Sequence, residues 1–178
     1  MLARRRGLSP ADAASASLKV QKALIATSEF AAAGVVAIYA PIHNEVDTGE
    51  IMSAVLASSR MLLFPAVGRN GLEFRRVSGT WDLRRGAFGI AEPTPDCPIL
   101  PPGEADMIVV PGIAFDTDGR RIGYGKGFYD RALHQLEGIG KLVGFCFDFQ
   151  LVEGITDEPH DVQMDMIITE RRIIRPGC

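Results

Sequence analysis

The residues with the clearest capacity for chemistry lie between Val110 and Arg131, in the run VPGIAFDTDGRRIGYGKGFYDR. Gly123, Gly125 and Gly127 alternate around Lys126, and Arg120, Arg121 and Arg131 stand nearby in the chain. Glycines let backbone amides approach a ligand, a helix start adds partial positive charge, and lysine and arginine supply the full charges that a polyphosphate demands. The stretch therefore reads as a phosphate cradle, although its spacing is neither GxxxxGK(S/T) nor GxGxxG. The competing reading is a glycine-rich turn solvated by its arginines; the neighbouring Asp116 and Asp130 weigh against it. A carboxylate beside a phosphate is repelled unless a cation lies between them, which makes Asp130 a candidate Mg2+ ligand. An acidic residue stabilising a helix start would look the same.

Two further polar groups invite attention. DEPHDVQMD, Asp157 to Asp165, offers Glu158, His160, Asp161 and Asp165, and Pro159 keeps it out of a helix. A His-Asp pair there can bind a metal or orient a base, or simply make a polar turn; with no second histidine at ligand spacing, zinc is not expected. YAPIHNEVDT, Tyr39 to Thr48, leaves an apolar run and puts His43, Asn44 and Glu45 at its end. Glu45 can accept hydrogen bonds from a ligand amine or amide, while Asn44 and Asp47 suit a turn and a helix cap. Trp81, the single tryptophan, is expected to pack in the core.

The elements that must hold these groups alternate between helix and strand. Ser9-Pro10 reads as an N-cap followed by proline in the first turn, opening a helix over Pro10 to Ser28. Gly34 to Ala40 is a short apolar, β-branched run of the kind buried in a parallel sheet. A second helix starts at Asp47 or Thr48 and ends near Ser59. Further strands are expected at Met61 to Phe64, at Leu72 to Val77 (an edge strand), and at Met107 to Val110. A helix follows over Gly127 to Leu136, then strands at Lys141 to Phe147 and Met166 to Thr169. Glu92 to Asp106 holds five prolines, a density that argues against regular structure and for a surface connection within one domain. The alternation implies a mainly parallel sheet covered on both faces. Ligands of such sheets sit beyond the carboxyl ends of the strands, so the loops after Ala40, Val110 and Phe147 are the ones that matter.

The bulk numbers narrow the function. A chain of 178 residues fits one compact domain. A net charge of −3 argues against a general nucleic-acid binder while leaving room for a local basic pocket. Three cysteines, Cys97, Cys146 and Cys178, are odd in number and widely spaced, which suggests free thiols in a reducing compartment. Phe30 to Pro41 is too short an apolar stretch to span a bilayer, and MLARRRGLSPADA has no apolar core behind its basic start. A cytoplasmic monomer without membrane or nucleic-acid partners is the expectation.

Taken in order, the NEVDT turn, the FGIAEP segment, PGIAFDTDGRRIGYGKGFYDR and the EPHD turn resemble the 5-formyltetrahydrofolate cyclo-ligase family, over about Leu8 to Glu170. That resemblance implies a three-layer α/β/α sandwich with a mainly parallel sheet, similar to the sugar-phosphate isomerase and CoA-transferase group. It implies an ATP-dependent cyclisation of 5-formyltetrahydrofolate, with or without a polyglutamate tail, to 5,10-methenyltetrahydrofolate, with ADP and phosphate released. Arg121, Gly123, Tyr124, Gly125, Lys126, Gly127, Phe128 and Tyr129 would then hold ATP; Lys126, Arg121 and Tyr129 would serve the reaction. Ala40, Glu45, Tyr124, Lys126 and Phe128 would contact the folate, and Asp130 and Asp161 would bind Mg2+. The family usually opens with a helix bearing a lysine and an arginine four residues apart that contact ATP. MLARRRGLSP matches the segment after that pattern, and Arg4, Arg5 and Arg6 do not align with it. The alternatives are a folate- or nucleotide-binding paralogue without turnover, and a phosphosugar isomerase or CoA transferase built on the same scaffold.

Overall fold

The computed structural model describes residues 1–68, 71–86, 89–125, 128–133, 140–156 and 161–177. A short helix α1 (Leu2–Arg6) leads into α2 (Pro10–Ile25), whose N-cap is Ser9: its Oγ accepts from the Asp12 amide at 3.1 Å, and Pro10 opens the first turn. α3 (Ser28–Ala32) is capped in the same way by Thr27, whose Oγ1 accepts from the Phe30 amide at 3.1 Å. α1 was not expected; MLARRRGLSPADA reads only as a basic start without an apolar core behind it.

Among the described residues, five parallel strands form the middle of an eight-stranded sheet. They are β1 (Val35–Ala37), β2 (Met61–Gly68), β7 (Met107–Pro111), β10 (Lys141–Phe145) and β12 (Met166–Ile168), in the spatial order β12-β10-β7-β1-β2. Antiparallel strands complete both sides: β13 (Ile173–Ile174) beside β12, and β3 (Gly71–Val77) then β6 (Ile99–Leu100) beside β2. Thus β3 is not an edge strand. The proline-rich segment is less irregular than its composition implied, since β6 lies within it and β5 (Ala91–Pro93) overlaps its start. Both are two- or three-residue strands at sheet margins, where a proline need not donate to a ladder.

Strand alternation divides the core. Val36, Leu62, Met107, Val109, Val143 and Ile168 face one side with Val20 and Leu24 of α2 and Ile51 and Val55 of α4 (Gly49–Leu56). Ala37, Leu63, Ile108, Val110, Leu142 and Ile167 face the other with Ala132 and Leu133 of α5 (Phe128–Leu133). The result is the expected three-layer α/β/α arrangement. Each fully buried Val, Leu or Ile contributes about 1.5–3 kcal/mol, and a one-residue slip would exchange the two sets, so the register is strongly specified.

The second helix is shorter than its pattern suggested. Thr48 sits at the N-cap of α4, yet its hydroxyl donates to the Tyr39 carbonyl at 2.8 Å and caps nothing; Asp47 Oδ1 takes the Gly49 amide at 2.6 Å instead. Between β7 and α5 the chain forms a hairpin, β8 (Ala114–Asp116) with β9 (Arg121–Ile122), joined on its other side by β11 (Leu151–Val152). A second ribbon pairs β4 (Leu83–Arg85) with β5. The described part of α5 begins at Phe128, and Gly127 and 134–136 of the expected helix lie outside the described residues.

Candidate active site

A cavity of about 380 Å³ opens beyond the carboxyl ends of β1, β2 and β7. Tyr39, Ala40, Ile42, His43 and Glu45 enter it from the loop after β1, and Pro65, Ala66 and Val67 from the end of β2. Pro111 closes β7, Arg121, Gly123 and Tyr124 follow from the hairpin, Tyr129 comes from α5, and Ile90 to Glu92 cover it from β5. The lining is mostly apolar with a few converging polar groups, the usual character of a small-molecule site.

The loop after β1 is held in an unusual shape. His43 and Asn44 both have left-handed backbones, with φ of 49° and 56°. Asparagine tolerates this better than histidine, and such strain persists only where the surroundings over-determine it. Here Asn44 Nδ2 donates to the carbonyls of Arg5, Arg6 and Leu8 at 3.3, 3.5 and 3.4 Å, tying the loop to the end of α1. The turn presents Glu45, which is only 7% exposed. Its Oε2 accepts from the Ile42 amide at 2.9 Å and its Oε1 from the Tyr124 hydroxyl at 2.5 Å. Burial pushes the Glu45 carboxyl above the usual glutamate range, against the opposing pull of Tyr124, the Ile42 amide and the Arg5 charge. Burial and the bond to Glu45 likewise push the Tyr124 hydroxyl up to about 12. Tyr129 is driven higher still by burial and by Glu45, with Arg121 opposing, so it is a neutral donor at working pH.

Arg121 enters from β9 opposite Phe115 and is 8% exposed. Gly112 makes room for it: a Cβ there would stand 3.0 Å from Arg121 Cγ and 2.6 Å from the Phe115 ring. Gly125 has φ +76°, a conformation that favours glycine and turns the chain from Tyr124 toward α5. Behind the hairpin, Asp116 is fully buried. Its Oδ1 accepts from the amides of Asp118 and Arg120 at 3.0 and 2.9 Å, and its Oδ2 from the Ile155 amide at 2.9 Å. Asp116 therefore builds the hairpin and does not join the site, contrary to the weight its proximity in sequence lent it.

The structure thus brings Ala40, Glu45, Arg121, Gly123, Tyr124 and Tyr129 around one cavity, with Gly125 next in the chain. Lys126 and Gly127 lie outside the described residues, as do 157–160, and so do the side chains of Phe128, Asp130 and Arg131. Asp161 is half-buried and does not border the cavity. Among the described residues no three His, Cys, Asp or Glu side chains gather as a metal cage. Trp81 is 76% exposed, lying over Gly79 and not in the core as expected.

Sequence reasoning missed Arg5 altogether. It is among the largest fully buried side chains, 1% exposed. Its Nε donates to the His43 carbonyl at 3.0 Å, Nη1 to the Gly112 carbonyl at 3.1 Å, and Nη2 to the Tyr124 hydroxyl; Nη2 lies 3.7 Å from Glu45 Oε1. No signal in residue type separates Arg5 from Arg4 and Arg6. The roof formed by Ile90 to Glu92 was also missed, although FGIAEP stood out as a segment.

Fold and cavity together define a three-layer α/β protein with a mostly apolar slot beyond the carboxyl ends of its parallel strands. The 5-formyltetrahydrofolate cyclo-ligase family matches residues 1–170, and the chain belongs to that family. The 5-formyltetrahydrofolate cyclo-ligase of Mycolicibacterium smegmatis is 35% identical over 146 residues, covering 77% of this chain and 74% of the relative. The NMR structure of Aquifex aeolicus 5,10-methenyltetrahydrofolate synthetase superposes with a TM-score of 0.90 at 36% identity, covering 99% of this chain and 89% of that one. The 5,10-methenyltetrahydrofolate synthetase of Mycoplasma pneumoniae follows with a TM-score of 0.77 at 26% identity, covering 95% and 93%. The match from residue 1 brings α1 inside the family's domain, where the resemblance in sequence had begun only at about Leu8.

Proposed function

We propose that this chain closes 5-formyltetrahydrofolate to 5,10-methenyltetrahydrofolate at the expense of ATP, in the cavity between Glu45 and Arg121. The observation that carries this reading is the pairing, in one mostly apolar slot, of a buried carboxylate acceptor with a buried guanidinium. A flat heterocycle with N–H donors suits the first, and a phosphoryl group suits the second.

The formyl group on nitrogen 5 is an amide, and its oxygen is a poor leaving group. Transfer of the terminal phosphoryl group of ATP to that oxygen makes it a good one. Nitrogen 10 then attacks the activated carbon: the new C–N bond forms, the C–O bond breaks, phosphate departs with its electrons, and the proton of nitrogen 10 is released. Phosphoryl transfer of this kind rests on positioning and charge neutralisation, so no protein nucleophile is needed. Arg121 neutralises charge on the transferring group. Gly123 and Gly125 let backbone amides come close, and Lys126 adds a second cation. Glu45 and Tyr124 orient the folate, Ala40 lines its pocket, Phe128 would contact it as the family resemblance implies, and Tyr129 donates a hydrogen bond from a hydroxyl that stays protonated.

Mg2+ takes one or two carboxylates and completes its shell with phosphate oxygens and water, so two aspartates would suffice for it. Asp130 and Asp161 would hold it, and it would neutralise charge between the phosphates. We place the reaction in the cytosol and the chain as a monomer. Cys97 and Cys146 are free thiols, and among the described residues no helix is long and apolar enough to cross a membrane.

The test is direct. Purified protein with 5-formyltetrahydrofolate and Mg-ATP should develop the absorbance of the methenyl product with ADP in equal amount, and Arg121→Ala should lose at least about a hundredfold in kcat/KM. Binding of both ligands without product would leave only a binding protein.

A further inference from the structure

Arg5 does not border the cavity, yet it is bonded to what does. A guanidinium so deeply buried is costly unless its donors are used and its charge is met. Its partners come from three places far apart in the chain: the His43 carbonyl after β1, the Gly112 carbonyl after β7 and the Tyr124 hydroxyl after β9. A structural staple would need only the two carbonyls. The third contact reaches a side chain of the site, and the Glu45 carboxylate lies 3.7 Å beyond.

We propose that Arg5 is a positioning residue of the active site, which aims the Glu45 carboxylate and the Tyr124 hydroxyl at the ligand from behind the cavity wall. A tyrosine hydroxyl has one proton. Because it accepts from Arg5, that proton is left for Glu45 Oε1, which it reaches at 2.5 Å. Glu45 Oε2 takes the Ile42 amide at 2.9 Å. Both carboxylate oxygens therefore keep acceptor capacity for a ligand edge that carries N–H donors. Helix α1 is fixed in place for this task. Asn44 grips the carbonyls of Arg5, Arg6 and Leu8, and the Arg4 guanidinium stacks 4.4 Å from the centre of the Phe149 ring. Among the described residues, the groups that act on Glu45 are Tyr124 after β9, the Ile42 amide in its own turn and Arg5 from α1; Glu45 in turn raises Tyr39 after β1 and Tyr129 from α5, on which Arg121 also acts, and His43 stands in the same turn. Arg5 is the positive member nearest the carboxylate.

The choice of folate as ligand rests on the function proposed above, and the experiment separates the two ideas. In the unliganded protein, 13C NMR titration of the Glu45 carboxyl should move to higher pH in Arg5→Met, with Arg5→Lys between it and the wild type. In steady state, Arg5→Met should raise KM for 5-formyltetrahydrofolate by about tenfold or more, with a smaller effect on kcat. In a Glu45→Gln background the same substitution should change KM little, since the carboxylate it serves is gone. An unmoved Glu45 titration, an equal KM penalty in both backgrounds, or an Arg5→Lys protein identical to wild type in both readouts would overturn the assignment. If Arg5→Met does not fold, Arg5→Lys decides alone. A wild-type protein that makes no methenyl product refutes the folate reading, and the titration still decides the role of Arg5.

Discussion

Glu45 and Asp148 are both shielded carboxylates, and their surroundings push them in opposite directions. Burial raises Glu45, so the folded protein favours its proton; this group's contribution to stability falls as pH rises through its pKa and grows as pH falls. Acid therefore does not unfold the protein through Glu45, but it does remove the negative acceptor that we propose for the folate. Affinity for 5-formyltetrahydrofolate should decline on acidification at a pH above that of an ordinary glutamate, while circular dichroism still reports a folded chain. Glu45→Gln should abolish that acid limb and weaken binding by about tenfold at neutral pH, measured by calorimetry. Asp148 is opposed by burial but held below the usual aspartate range by the Arg172 fork, at 2.8 and 2.9 Å, and by the Thr169 hydroxyl at 3.0 Å. Its contribution is present above the unfolded aspartate pKa and is lost as pH falls through the lower folded value.

Asp148 also shows how elements are joined. It starts the short turn after β10 and clasps Arg172, which lies between β12 and β13, so it holds the edge hairpin onto the parallel strands. Asp148→Asn keeps the shape and loses the charge-assisted fork. It should cost about 1 kcal/mol and lower Tm by about 2–4 °C at pH 7, a difference that shrinks toward pH 2 in thermal melts. Gly144 is a different kind of joint: a Cβ there would stand 2.5 Å from the Phe115 ring, so β10 and β8 approach through the missing side chain. Gly144→Ala should destabilise by about 1–3 kcal/mol in urea titration without altering KM in the protein that remains folded. The alternation of apolar runs and the Ser9-Pro10 start were legible in sequence because strand period and capping are local. The pairing of β3 with β6 was not, since it depends on a strand some twenty residues away, within a proline-rich run that local rules exclude. Thr48 misled for a related reason: its hydroxyl found a better partner in Tyr39 than in its own helix. In the site, Glu45, Arg121 and the glycine turn could be named from residue type and neighbourhood. Arg5 could not, because what distinguishes it from Arg4 and Arg6 is burial by three distant loops.

At the scale of the molecule, the cavity has no single owner. Its wall takes residues from the loop after β1, from the ends of β2 and β7, from β5, from β9 and from α5, and α1 braces it from behind. A ligand that joins these segments binds the folded chain and has little to grip once they separate. Stabilisation then follows mass action: at a hundredfold excess over Kd it amounts to about 2.7 kcal/mol, which for a chain of this length is a rise in Tm of roughly 5–10 °C. A ligand held by one mobile loop would obey the same law, so the melting shift alone does not reveal the convergence. Its location does. In hydrogen exchange, 5-formyltetrahydrofolate should slow the amides of Ile42 and Glu45, of Ala91 and of Arg121 together, although they lie up to about eighty residues apart in the chain. Arg5→Met should uncouple the first pair from the last while leaving β10 and β12, which do not border the cavity, protected as before. Protection confined to the glycine turn would mean that the ligand sits on the hairpin alone, and that the cavity at the ends of β1, β2 and β7 is not where it binds.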